Sequence, residues 1–119
     1  MSTMALYTHA SLETADGNSA DLSVGSSSEL AVDINITGNQ GTNPTIQFFI
    51  DRKGADLVYY PIWQSKIVTA SSDQVSTSIG PGLAYNQSLG ATIRFRWDIS
   101  GTSTPGFTFS VSLQAKGVA

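Results

Sequence analysis

Between residues 91 and 116 the chain alternates apolar and polar side chains, and this restricts it to β structure more firmly than any other feature. Ala91, Ile93, Phe95, Trp97 and Ile99 interleave with Thr92, Arg94, Arg96, Asp98 and Ser100. After Gly101-Thr102-Ser103-Thr104-Pro105-Gly106 the pattern resumes, with Phe107, Phe109, Val111, Leu113 and Ala115 set against Thr108, Ser110, Ser112, Gln114 and Lys116. Successive side chains of a strand point to opposite faces, so the pattern builds one apolar wall and one wet surface. Helical spacing cannot gather the same residues onto one stripe. The segment is expected to form a β-hairpin that turns at 101–106, with Phe95, Trp97, Phe109 and Val111 inward.

The rest of the chain carries the same signal in shorter pieces. Leu30, Val32, Ile34 and Ile36 alternate with Ala31, Asp33, Asn35 and Thr37. A loop at 38–44 leads into Ile46, Phe48 and Ile50, with Phe49 facing the other way, and Asp51-Arg52-Lys53-Gly54 reads as a turn. Residues 57–68 follow, with Val58, Tyr60 and Ile62 on one face; Pro61 lacks a backbone N–H and marks an edge strand or a bulge. Short strands are expected at 20–24 and 75–79, and Gly80-Pro81-Gly82 breaks the chain before Tyr85. Residues 1–12 alternate weakly, so 1–15 is read as an N-terminal arm or edge strand and 16–119 as one domain. The segments around 32–48 and 97–109 resemble each other: strand, glycine, a Thr- and Pro-containing loop, strand. Either any such hairpin looks alike, or the two occupy equivalent places with their inner faces packed together. The fold class is all-β: an antiparallel β-sandwich of seven to eight strands, jelly-roll or immunoglobulin-like Greek key.

Composition narrows the function. A chain of 119 residues, 40% of them hydrophobic, buries roughly two-thirds of its unfolded surface and needs no staple. It has no cysteine, which excludes disulfides and thiol or Cys-ligated metal chemistry. Its apolar runs fall far short of the ~20 residues that cross a bilayer, and no signal peptide is visible at the start. With 13% charged residues and a net charge of −3 it lacks the clustered Lys and Arg of a nucleic-acid binder. Neither nucleic acid nor membrane is expected as a partner.

Chemical motifs are sparse. His9 is the only histidine and lies in the weakly patterned N-terminal segment, and no Gly-x-Ser-x-Gly elbow exists. The carboxylates are scattered, without a pair set apart by apolar flanks. Asp16 and Asp21 bracket a Gly-Asn turn that is a turn before it is a calcium site. No catalytic residue, metal or cofactor is assigned, and the chain is expected not to be an enzyme. Candidate binding residues fall in three groups: the aromatics Tyr59, Tyr60 and Trp63 with Tyr85, a small basic stripe of Arg94 and Arg96, and the apolar Leu6 and Tyr7 near the N-terminus. Each has a plain structural alternative, as core, as ion-paired charge or as edge strand.

One resemblance is carried by Gly25-Ser26-Ser27-Ser28-Glu29-Leu30, Val32 to Thr37, Gly41-Thr42-Asn43-Pro44-Thr45-Ile46, Ile93 to Ile99, Gly101 to Pro105 and Phe107 to Val111. In that order they resemble small accessory virion proteins of tailed bacteriophages, over roughly 22–115. The middle of the chain departs from that group's pattern at 51–71. The resemblance implies a structural virion protein, a capsid decoration or cement protein on the head exterior, made in the host cytoplasm. It would bind the major capsid protein or other virion proteins, as a homo-oligomer. The alternative is a carbohydrate- or receptor-binding sandwich, such as a tail-associated adhesin, which requires Tyr59, Trp63 and Tyr85 to share an exposed groove.

Overall fold

The structure, a computed structural model, describes residues 2–25, 27–80 and 89–117, with side chains from Tyr7 to Lys116 within those bounds. Its strands are β1 (Ser2–Glu13), β2 (Gly17–Asn18), β3 (Leu22–Ser23), β4 (Ser27–Lys53), β5 (Tyr59–Gln64), β6 (Asp73–Ile79) and β7 (Thr92–Gly117). Two of them, β4 and β7, dominate. They pair antiparallel almost end to end, from Ser27 opposite Gly117 to Arg52 opposite Ile93. A straight strand of 27 residues would run roughly 90 Å, yet the longest dimension of the molecule is 47 Å. The two-stranded ribbon therefore folds back on itself.

The fold-back lies where the ladder is interrupted, between Ile36 and Thr45 on β4 and opposite 100–108 on β7. Gly41 and Gly101 have φ of 94° and 136° there, with Asn43, Ser103 and Thr104 also left-handed. Crowding as well as φ requires the glycines. A Cβ on Gly41 would lie 2.7 Å from Pro105 Cα, and one on Gly101 would lie 3.1 Å from the Thr42 carbonyl oxygen.

Each half of the ribbon becomes the centre of one layer. β1 and β6 flank the half made of 27–40 and 106–117. β2 and β3 on one side and β5 on the other flank the half made of 45–53 and 92–100. Counting β2 with β3 and each bent strand twice gives eight segments in chain order. The layers then read 1-8-3-6 and 2-7-4-5, which is the jelly-roll form of the sandwich.

The core lies between the layers. Ile34, Ile46, Phe48, Phe95, Trp97, Phe109 and Val111 are all buried, as their alternation requires. Rings meet across the gap: Phe109 lies 5.1 Å from Phe48 and 5.6 Å from Trp97, both edge-on. The hairpin expected at 91–115 is corrected by this arrangement. The two arms of β7 do not pair with each other; each pairs with β4, in opposite layers. In a sandwich every inward face looks at the same core, so a hairpin and a folded-back strand leave the same alternation.

Residues 15–24 line the edge of β7 with short backbone and side-chain contacts in place of a full strand. Asp16 Oδ1 accepts from the Ile99 N–H at 2.7 Å, and Ser19 Oγ accepts from the Phe95 N–H at 3.0 Å. The Trp97 indole donates to the Ala15 carbonyl at 3.1 Å. Gly17 is required beneath that indole, because a Cβ there would stand 2.5 Å from the ring.

Candidate functional site

The outer face of the 2-7-4-5 layer holds the densest polar arrangement. Asp51 sits within β4, opposite Arg94 on β7, and not in the turn expected at 51–54. Its side chain is buried although it points away from the core. The cover comes from two arginines: Arg94 Nε and Arg96 Nε each donate to Asp51 Oδ2 at 2.9 Å, and Arg96 Nη2 donates to Oδ1 at 3.2 Å. Arg94 lies 3.7 Å over the Tyr59 ring and Arg96 lies 4.0 Å over Phe49, so each guanidinium is held by a ring as well as by the carboxylate. Burial works to raise the Asp51 pKa, but the hydrogen bonds from Arg96 and Arg94 outweigh it and hold it below the ordinary value.

Next to this group the Tyr59 hydroxyl and Lys53 Nζ both donate to Asp21. The hydrogen bond from Lys53, then that from Tyr59, lowers the Asp21 pKa. Lys53, Arg94 and Arg96 thus face Asp21, Asp51 and Asp98. The stripe formed by Arg94 and Arg96 is neutralised within the chain.

The aromatic group does not converge. Trp63 is buried in the core, Tyr59 lies under Arg94, and Tyr60 is 43% exposed with its hydroxyl donating to Asp56. Tyr60 and Ile62 were expected on one face; a register shift separates them. Ile50 pairs with Trp63 and Asp51 with Pro61, leaving Ile62 as the extra residue. The bulge buries Ile62 and Trp63 in succession and turns Tyr60 out. Tyr85 lies outside the described residues.

The turn that leads into this bulged edge strand holds a group of exposed apolar side chains. Leu57 is 72% exposed and Val58 49%, beside Tyr60 at the tip of the β4–β5 hairpin. The tip is held from within: Leu57 N–H donates to the Gly54 carbonyl at 2.9 Å, and Gly54 N–H to the Val58 carbonyl at 2.8 Å. Asp56 accepts from the Val58 N–H and from the Tyr60 hydroxyl. Leu57 has φ of 67°, a strained conformation for a bulky side chain. Val58 does not share a face with Ile62 as the alternation expects; the signal that it belongs to a turn is Gly54-Ala55-Asp56, which extends the polar break further along the chain.

At the other edge, Tyr7 and His9 point between the layers. The His9 ring stacks 4.6 Å from Phe109 and 5.3 Å from Trp97, and the Tyr7 ring lies 5.9 Å from Phe95. Burial, and then the Glu13 charge, raises the Tyr7 pKa. His9 Nε2 lies 3.3 Å from Ser11 Oγ and 3.7 Å from Glu13 Oε1. Leu6 has no partner on β7, because the register shifts between Ala5 and Tyr7; its side chain lies outside the described residues. Asp16 and Asp21 take separate partners, Ile99 in one case and Lys53 with Tyr59 in the other.

No family model and no curated protein matches the chain. Among solved structures, a chain of Broad Bean Stain Virus aligns with a TM-score of 0.49 and 12% identity, over 94% of this chain and 63% of that one. The present chain therefore spans less than two-thirds of that neighbour.

Proposed function

We propose that the chain is a structural virion protein of a tailed phage, one that acts by binding and not by catalysis and decorates the outside of the head. The observation that carries the binding part is the hairpin tip at 54–60. Three exposed apolar side chains, Leu57, Val58 and Tyr60, stand on a loop fixed by its own hydrogen bonds. A rigid apolar tip loses little freedom on docking, and a few such side chains supply most of the affinity of a protein interface. The virion part rests on the sequence resemblance over 22–115.

The carbohydrate-binding alternative needs Tyr59 and Trp63 in a common groove, and they point to opposite sides of their layer. Mixing the purified chain with heads that lack it tests the proposal. The wild-type protein is expected to sediment with heads, and Leu57→Asp is expected to fold normally and lose at least tenfold in occupancy. Failure of the wild-type chain to bind heads, together with specific retention on a glycan array, would overturn the reading in favour of a lectin-like module. Hydrolytic turnover abolished by a single carboxylate substitution would overturn the non-catalytic part.

A further inference from the structure

We infer that a second copy of this chain adds to the outer edge of β1, which has no neighbouring strand among the described residues, antiparallel and centred on Ser11, to make one continuous sheet across two molecules. The four outer edges of the sandwich are unequal. β5 carries Pro61 and a bulge, β2 and β3 are two-residue pieces, and β6 begins beneath the Lys66–Asp73 ion pair. Prolines, bulges, breaks and charged side chains are the devices that keep edges from pairing. β1 has one bulge, near Leu6, and beyond it pairs with β7 residue for residue from Tyr7 to Glu13. Its outward side chains on this stretch are Thr8, Ala10 and Leu12, all uncharged, with Leu12 47% exposed.

The polar side chains of the strand favour one register. An antiparallel pair related by a twofold axis opposes residues whose numbers have a constant sum. Centred on Ser11, His9 faces Glu13 of the second copy and Glu13 faces its His9, while Leu12 faces Ala10. Centred on Glu13, two carboxylates would oppose each other, which is unfavourable, and centred on His9 no carboxylate would face an imidazole. Within one chain His9 Nε2 and Glu13 Oε1 already approach to 3.7 Å, so this register would set two such His–Glu pairs side by side across the axis.

The chain contains no cysteine, which makes single-cysteine cross-linking unambiguous. Directly opposed Cα atoms in an antiparallel pair lie about 4.5–5.5 Å apart, within disulfide range. The full-length Ser11→Cys chain is expected to oxidise almost completely to a dimer. Thr8→Cys, whose two copies would lie roughly 20 Å apart, is expected to stay uncross-linked, and wild-type protein to run as a dimer by light scattering. A wild-type monomer at millimolar concentration, or equal cross-linking at both positions, would overturn the inference. A dimer that leaves phage heads bare would count against the proposed virion role and leave this pairing intact.

Discussion

Asp51 shows how a single carboxylate can organise a whole outer face. Its two arginines reach solvent while it does not, so removing its charge leaves two guanidinium groups without the acceptor around which they are stacked. Asp51→Asn should cost about 2–3 kcal/mol in chemical denaturation. The pH dependence has a definite sign. The folded-state pKa lies below the ordinary 3.8, so the stabilisation is in place above about pH 4 and is lost as pH falls through the depressed value. The wild-type chain should therefore lose stability on acidification faster than Asp51→Asn does, a difference that melting curves between pH 2 and pH 5 measure directly. In the core, Phe95→Ala and Phe109→Ala should each cost about 3–5 kcal/mol through lost burial plus a cavity. A loss below about 1 kcal/mol for both would mean that neither ring is packed as described.

Among the strands, inward and outward positions were legible in the sequence and pairing partners were not. Period-two alternation reports which face is buried, and Phe48, Trp97 and Val111 obey it without exception. It carries no information on whether the chain at 101–106 reverses beside itself or bends into the other layer. The likeness between 32–48 and 97–109 held the missing information: the two segments are the opposed strands of one ribbon, bent at the same place. Tyr60 departs from the expected face for a local reason, since one extra residue at Ile62 inverts the strand side chains on the hairpin side of it. Gly41→Ala tests the bend. It introduces a Cβ against Pro105 at a left-handed φ, and should cost about 2–4 kcal/mol by combining backbone strain with overpacking. Gly25, also left-handed but with open space around it, should lose only about 1 kcal/mol on the same change.

Among the described residues every buried side-chain nitrogen and oxygen of the sandwich has a hydrogen-bond partner, and the large apolar side chains left exposed are Leu57, Val58 and Tyr60 at the hairpin tip, with Leu12 and Ile67 apart from it. Among the described residues no group of three His, Asp or Glu side chains converges as a metal site, and the lone histidine is packed among rings. What such a molecule offers to others is shape: a firm apolar tip and, among the described residues, an edge strand without a neighbour. Removing residues 1–8 would strip Tyr7 from the core and half of β1 from its layer, so thermal unfolding should occur at least several degrees lower; an unchanged midpoint would make the segment an appendage. A cryo-EM reconstruction of the intact phage particle tests the central claim most directly. The account predicts density for this chain at symmetric positions outside the head, with Leu57, Val58 and Tyr60 seated in an apolar pocket of the underlying shell protein. A particle whose head carries no such density, or in which the 54–60 tip projects freely into solvent, would contradict it.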